Sequence, residues 1–277
     1  MGKMKVGLQL YSVRRDMAKD MEQTLKTVKE IGYDYVEFAG YFGKTAETIH
    51  HLLEKYELEC VSVHQPDDSL IETEKDTLDY LKTIGTKFCV LPWMKLKQYA
   101  VNGQLEQIKE SFYKVGKLLR DNEISLLYHN HDFEFTGYEG RFLLDWIYES
   151  VPADILQTEL DTCWIKYAGQ DPAQYLRKYA GRSPVVHLKD FICEKLNSAA
   201  VYGIIDGNGK EKEKPSLDDN GFKYRPLGCG IQDFPAIIKA AEDAGTDYII
   251  VGQDMPTTAT AMESAKISRN YLRSFGL

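Results

Sequence analysis

Residues 31–38 read IGYDYVEF, and near the other end of the chain residues 244–251 read AGTDYIIV. In both stretches a segment of helical period ends at a glycine, and a run of β-branched and aromatic residues begins at a tyrosine. Glycine is favoured just past a helix because it adopts the left-handed backbone without steric cost. Each stretch therefore predicts a helix that turns into a strand, and the recurrence indicates a chain of repeated units.

Between these two junctions, short apolar runs alternate with helical segments along the whole chain. The predicted strands lie near 6–11, 35–39, 60–64, 87–91, 125–130, 156–161, 185–189 and 248–252. The predicted helical segments lie near 17–31, 45–57, 72–84, 104–121, 142–150, 172–180, 231–245 and 261–275. The strands show little polar alternation, which is typical of a parallel sheet buried on both faces. Eight such units in 277 residues favour an α/β fold closed as a (β/α)8 TIM barrel over an open sheet.

One segment interrupts the alternation. A long insertion at about 191–230 separates the seventh strand from its helix and includes DGNGKEKEKPSLDDNG. Connections of this length are typical either of a functional lid or of a solvated hairpin, and both interpretations stay open. Because no change of composition accompanies it, residues 1–277 are predicted to form a single barrel.

Composition limits the classes of partner. Hydrophobic residues make up 43% of the chain and charged residues 27%, as in soluble globular proteins. The net charge of -8 disfavours nucleic acid, whose phosphates would repel the protein. No apolar run approaches the roughly 20 residues of a membrane span, and the five cysteines are scattered, which is simplest for reduced thiols in a cytoplasmic protein. A homo-oligomer is compatible with the sequence.

Polar residues collect where the predicted strands end. The run LLYHNHDFEF (126–135) ends the fifth strand in two histidines, and four of the six histidines in the chain stand at strand ends. The carboxyl ends of barrel strands carry the chemistry of this architecture. The residues at this edge are Glu37, His64, Gln65, Trp93, His129, His131, Glu159, Asp161, His187, Lys189, Asp190, Gln253 and Asp254.

The residue types at this edge indicate metal-assisted chemistry on a sugar. Imidazole and carboxylate together are ligands for divalent ions such as Mn²⁺, Zn²⁺, Fe²⁺ or Co²⁺. Such an ion polarises a carbonyl and favours removal of the neighbouring proton. Tyr11, Trp93, Phe133 and Trp164 offer flat surfaces for a sugar ring, with packing at the barrel rim as the equal alternative for each. Gly228 and Gly230 offer either an anion site or a plain turn.

Six stretches resemble, in order, the sugar phosphate isomerase/epimerase family of xylose-isomerase-like TIM barrels, which includes ketose 3-epimerases and inosose dehydratases. They are GLQLYS, GYDYVEFAG, YHNHDFEF, ELDTCW, HLKD and LGCGIQDF, and they span nearly the whole chain. The resemblance implies a divalent metal held by Glu, Asp, His and Glu from strands five to eight. Asp161 and His187 match this set, while His129 stands at the strand-five position, as in the branch similar to inosose dehydratases.

The sequence departs from the family pattern at strand eight. Where relatives commonly read VEQD this chain reads VGQD, so Gly252 replaces the last glutamate. We therefore expect an incomplete ligand shell that holds its metal weakly, and we expect Gly252→Glu to raise the metal affinity. The Asp-x-x-His of strand six ends here in Trp164. Because His129 and Gly252 stand where the family has its two metal-bound glutamates, epimerisation by two opposed glutamates does not carry over.

Three hypotheses result. The first is a metal-assisted sugar isomerase, epimerase or dehydratase that removes a proton next to a carbonyl. In it the metal ligands are His129, Asp161 and His187, the catalytic groups are His131, Glu134, Glu159 and Lys189, and the substrate-binding residues are Glu37, His64, Trp93, Trp164, Gln253 and Asp254. Glu159 is also a candidate ligand, and Lys189 either stabilises an enolate or simply pairs with Asp161 or Asp190. The second is a sugar-binding barrel that has lost catalysis; the third, an abasic-site endonuclease, is disfavoured by the acidic charge.

Overall fold

Eight parallel strands close into a barrel, as the sequence predicts. The structure is a computed structural model that describes residues 3–65, 74–196, 217 and 220–277. The strands are β1 Lys5–Gln9, β2 Tyr35–Ala39, β3 Glu59–His64, β4 Phe88–Leu91, β5 Ser125–His129, β6 Gln157–Asp161, β7 Val185–Leu188 and β8 Tyr248–Val251. Each strand pairs with its neighbours in the chain, and β8 pairs with β1 to complete the ring. The (β/α)8 prediction is confirmed.

Helices follow the strands around the barrel. They are α1 Arg14–Lys19, α2 Met21–Ile31, α3 Ala46–Lys55, α4 Glu74–Thr83, α5 Leu96–Val101, α6 Leu105–Arg120, α7 Leu143–Ser150, α8 Thr162–Tyr167, α9 Pro172–Lys178, α10 Phe234–Ala244 and α11 Ala261–Arg273. The start of the helix predicted at 72–84 lies outside the described residues. The two glycines of the repeated junction end α2 and α10 in the left-handed conformation, with φ of 100° and 79°.

Two boundaries differ from the prediction, for local reasons. Residues 10 and 11, predicted to end the first strand, belong to the 3-10 helix Leu10–Val13. The helix predicted over 17–31 is divided because the Asp20 side chain accepts a hydrogen bond from the Gln23 N–H and begins α2 afresh. An N-cap aspartate stabilises a helix start by satisfying an amide that has no intrahelical partner.

The inside of the barrel is divided into an apolar floor and a polar layer above it. Phe88, Leu127, Val185, Tyr248 and Ile250 belong to one buried apolar cluster contributed by the strands. Side chains two positions further along a strand point to the same face. The polar ends of β5 and β7 therefore stand directly above this floor, which closes the barrel beneath them.

The insertion after β7 is described only at its base. Strand Asp190–Ile192 pairs antiparallel with Lys223–Arg225, and residues 197–216 lie outside the description. The Asp190 carboxylate accepts the N–H groups of Gly228 and Gly230 at 3.0 and 2.8 Å. The two amides that were candidates for an anion site therefore bind a carboxylate of the chain itself, which favours the turn interpretation.

Candidate active site

A cavity of about 560 Å³ opens at the carboxyl ends of the strands. Six of the predicted site residues lie on its wall: His64, Trp93, His129, His131, Lys189 and Asp254. Four others, Glu37, Glu159, Asp161 and His187, lie in the barrel with no exposed surface. The polar edge read from the sequence is therefore a single layered site, with aromatic groups outside and charged groups inside.

A buried carboxylate–imidazole–carboxylate arrangement crosses the barrel. Nε2 of His64 lies 3.0 Å from Glu37 Oε1 and 2.8 Å from Glu159 Oε2. Burial lowers the pKa of His64, but the two carboxylates outweigh it and raise that pKa to about 10. Gln9 and Ser62 also donate to Glu37, at 2.7 and 2.6 Å. Glu37 is thus held as a buried anion by three donors.

His129 connects this arrangement to strand β6. Its Nδ1 lies 2.8 Å from Glu159 Oε2, and its Nε2 lies 3.4 Å from Asp161 Oδ2. Burial, followed by the positive charge of His64, holds the pKa of His129 well below its ordinary value, so the ring is neutral. A neutral imidazole that donates from Nδ1 to a carboxylate presents Nε2 as a free lone pair, the arrangement common among metal-bound histidines.

The two oxygens of Asp161 have different surroundings. Oδ1 accepts the N–H groups of Cys163 and Trp164 at 2.9 and 3.3 Å and so caps α8. Oδ2 turns inward and lies 3.5 Å from His187 Nδ1. Neither ring nitrogen of the fully buried His187 makes a hydrogen bond among the described residues, although Nε2 lies 3.6 Å from Glu37 Oε1. Buried polar atoms are rarely left without partners, and a bound ion is one explanation for such an exception.

Lys189 is held between two carboxylates. Its Nζ lies 3.1 Å from Asp161 Oδ2 and 3.2 Å from Asp254 Oδ1. Burial lowers the pKa of Lys189, but the two carboxylates raise it by more than burial lowers it, so the side chain is an ammonium. Tyr224, from the base of the insertion, donates its hydroxyl to Asp254 at 2.8 Å. Asp254 is therefore committed to Lys189 and Tyr224.

The space beside Gly252 is filled, which corrects one expectation. A Cβ built on Gly252 would lie 2.1 Å from Cε1 of His187 and 2.9 Å from Cε of Lys189. Contacts this short force the neighbouring groups to move. Gly252→Glu therefore does not simply restore a ligand, because it displaces His187, one of the predicted ligands. The expected gain in metal affinity from this substitution required a free space, and His187 and Lys189 occupy that space.

The loop after β5 is fixed by side chains that bind backbone. Asn130 accepts the Asp161 N–H at 3.0 Å, joining the ends of β5 and β6. Glu134 is fully buried and accepts the Tyr128 hydroxyl at 2.6 Å and the His131 N–H at 2.8 Å. Burial raises the pKa of Glu134 to about 8. Glu134, a candidate for proton transfer, thus lies behind the loop and holds it in place.

The remaining candidates divide between the cavity wall and the layer behind it. Trp93 is 49% exposed and Tyr11 is 40% exposed at the mouth. Trp164 is buried beside His131, with ring centroids 5.5 Å apart, and Phe133 stacks on His131 at 5.2 Å. Gln253 is buried, and its backbone N–H donates to Ser12.

Sequence reasoning missed four residues that organise the site: Gln9, Ser62, Asn130 and Tyr224. Gln9 and Asn130 lie in two of the stretches that carry the family resemblance, GLQLYS and YHNHDFEF, and their positions at strand ends could have indicated them. Ser62 stands on the same face as His64 by the strand period of two. Tyr224 could not be found this way, because only the pairing of the insertion flanks brings it to Asp254.

A closed parallel barrel with a polar, histidine-rich layer at its carboxyl mouth is the architecture of an enzyme of the TIM-barrel class. The chain matches the Xylose isomerase-like TIM barrel family over residues 25–275 and belongs to that family.

One sequence relative and two solved structures are similar to this chain over most of its length. An inosose dehydratase of Mesomycoplasma hyopneumoniae is 26% identical over 273 residues, which cover 91% of this chain and 88% of the relative. The crystal structure of a sugar phosphate isomerase/epimerase from Parabacteroides distasonis superposes with a TM-score of 0.76 at 20% identity, covering 99% of this chain and 95% of that one. A structure of IOLI protein with a bound zinc atom superposes with a TM-score of 0.67 at 14% identity, covering 98% and 97%.

Among the helices in the described part of the chain, none combines the length and the apolar character needed to cross a membrane.

Proposed function

We propose that this protein is a metal-assisted isomerase, epimerase or dehydratase that removes a proton next to the carbonyl of a sugar or cyclitol. The observation that carries the proposal is the fully buried ring of His187, which makes no hydrogen bond among the described residues and lies beside Asp161, behind a cavity of about 560 Å³. The kinship with inosose dehydratases and the family membership support the same class of reaction.

Asp161 has the spacing of a metal ligand to each of two histidines, taken one at a time. Ligand atoms about 2.1 Å from a tetrahedral ion are about 3.4 Å apart. Asp161 Oδ2 lies 3.4 Å from His129 Nε2 and 3.5 Å from His187 Nδ1. Asp161 and His187 would hold the ion, and His129, oriented by Glu159, would join them only after a side-chain movement, because the three ligand atoms do not form a group within 4.8 Å of one another. When bound, the ion supplies a Lewis acid that polarises the substrate carbonyl.

A second group offers an alternative position. One atom from each of His64, His129 and Glu159 lies within 4.8 Å of the others. These atoms already contact one another, since Oε2 of Glu159 lies 2.8 Å from a nitrogen of each histidine. The nitrogens of His187, which make no hydrogen bond and lie 3.5 and 3.6 Å from their carboxylate neighbours, favour the position at Asp161 instead.

His131 and Glu159 are the proposed proton carriers. Nδ1 of His131 and Oε1 of Glu159 have no hydrogen-bond partner among the described residues. A general base must reach the proton that it removes; His131 does so from the cavity wall, whereas Glu159 has no exposed surface and reaches the cavity only through His64 and His129. Lys189 lies on the cavity wall, where its ammonium can stabilise the negative charge that develops on the substrate oxygen. Trp93 and Tyr11 would receive the apolar face of the sugar.

The proposed substrate carries no phosphate. Glu37, Glu159, Asp161 and Asp254 place acidic groups in and below the cavity, and Lys189 is paired with two of them. The backbone amides of Gly228 and Gly230 are taken up by Asp190. A phosphate dianion would therefore meet acidic groups and no unpaired cation among the residues that line the cavity.

The test is proton exchange. Keto-sugars, inososes and 3-keto-glycosides are incubated in D₂O with added Mn²⁺, and NMR follows the loss of the proton next to the carbonyl. We expect exchange or product formation with at least one unphosphorylated compound, and none with the Asp161→Asn variant. A protein that exchanges no proton and retains no divalent ion after loading is instead a sugar-binding barrel without catalysis.

A further inference from the structure

We propose that Lys189 and Gly252 act as a pair in place of a fourth metal ligand. The ammonium of Lys189 occupies the β8 side of the site with a permanent positive charge. This charge weakens the binding of a divalent ion, and the ammonium itself interacts with the substrate oxygens. The inference rests on the proposed function, because it assumes that the site at Asp161 accepts an ion.

The first argument is steric. Gly252 follows β8 directly, and its missing Cβ would lie 2.9 Å from Cε of Lys189 and 2.1 Å from the ring of His187. The Lys189 stem thus passes through the space that a β8 side chain would need. A side chain at residue 252 would have to displace the His187 ring and shift the end of Lys189, so the glycine and the position of the lysine are coupled.

The second argument is electrostatic. The Lys189 ammonium is 3% exposed and lies 3.1 Å from Asp161 Oδ2, the oxygen that also faces His129 and His187. A divalent ion bound to that oxygen would stand next to a positive charge. Repulsion between charges only a few ångströms apart is strong in a buried site, where water does not screen it. Asp254 cannot relieve it as a ligand, because it already binds Lys189 and Tyr224.

The third argument concerns chemistry. A glutamate at this position would accept protons, whereas an ammonium donates hydrogen bonds and stabilises negative charge. The carboxylate that follows β8 in the cavity, Asp254, is already paired with Lys189 and Tyr224. The cavity wall thus combines His131, which can remove a proton, with the Lys189 ammonium, which can stabilise the negative charge that results.

The experiment compares Zn²⁺ affinity in the full-length wild type, Lys189→Met and Lys189→Gln by calorimetry. We expect both variants to bind Zn²⁺ at least tenfold more tightly than the wild type. Lys87→Met is the control, because Lys87 donates to Tyr248 at the opposite end of the barrel and should leave the affinity unchanged. Equal or weaker binding by the folded Lys189 variants overturns the inference.

A measurement on the wild type keeps the inference testable if both variants unfold. Wild-type crystals soaked with Co²⁺ should show an ion at Asp161 and His187, with Lys189 still between Asp161 and Asp254. An ion that takes Asp254 as a ligand, or that expels Lys189 from Asp161, overturns the inference. Retention of an ion by the wild type tests the proposed function, whereas the ratio between variant and wild type tests Lys189, so the two failures are distinguishable.

Discussion

Asp161 has two separable tasks, and two substitutions distinguish them. Oδ1 caps α8 through the N–H groups of Cys163 and Trp164, while Oδ2 faces His187 and Lys189. Asp161→Asn keeps an oxygen for the cap and removes the negative charge. Asp161→Ala removes both. The difference in stability between the two variants therefore measures the contribution of the helix cap. The loss of metal affinity that both variants share measures the contribution of Oδ2.

The magnitudes follow from these contacts. Asparagine and aspartate cap helices about equally well, and replacement by alanine costs about 1 kcal/mol. Asp161→Ala should therefore unfold with a free energy about 1 kcal/mol lower than Asp161→Asn. Both variants should lose Zn²⁺ affinity by more than the roughly 10- to 100-fold that removal of an outer-shell partner costs, because a direct anionic ligand is lost.

Urea denaturation measures the free energy of unfolding, and calorimetric titration measures the Zn²⁺ affinity. Asp171 provides a matched control, since its Oδ1 caps α9 through the N–H groups of Ala173 and Gln174 at 2.8 and 3.3 Å. Asp171→Asn and Asp171→Ala should show the same difference in stability with unchanged Zn²⁺ affinity. If Asp161→Asn binds Zn²⁺ as the wild type does, Oδ2 is not a ligand and the proposed metal position is refuted.

Three further outcomes are expected. Asn130→Ala should lower the free energy of unfolding by about 1–3 kcal/mol in urea, because it leaves the buried Asp161 N–H without a partner; a loss well below that range would show that another acceptor replaces Asn130. Trp93→Ala should weaken sugar binding roughly two- to tenfold, equivalent to about 0.5–1.5 kcal/mol. The melting temperature should not change, because the ring is half exposed. Fluorescence titration or KM measurements check the sugar affinity, and an unchanged affinity contradicts the prediction. Treatment with a chelator should abolish proton exchange and added Mn²⁺ should restore it, whereas exchange that survives in the metal-free protein would argue against metal assistance.

The sequence by itself determined the barrel and the edge at which its polar residues meet. Strand and helix periods differ enough to be read locally, and glycine marks the helix ends, so all eight predicted strands lie within two residues of the observed ones at each end. The strand period of two also assigns His129 and His131 to one face of β5, and Glu159 and Asp161 to one face of β6. These features depend on neighbours in the chain, which a linear sequence records.

Only the tertiary structure decided which atoms face each other across the barrel. Glu37 and Glu159 share His64 although they lie on β2 and β6, and this contact depends on the tilt and stagger of the closed sheet. The same closure places His187 and Lys189 in the space beside Gly252, which turns an apparent vacancy into a filled position. Sequence periodicity gives the face on which a side chain stands, but distances across a barrel follow from its closure, and so the partners of each charged group could be known only from the fold.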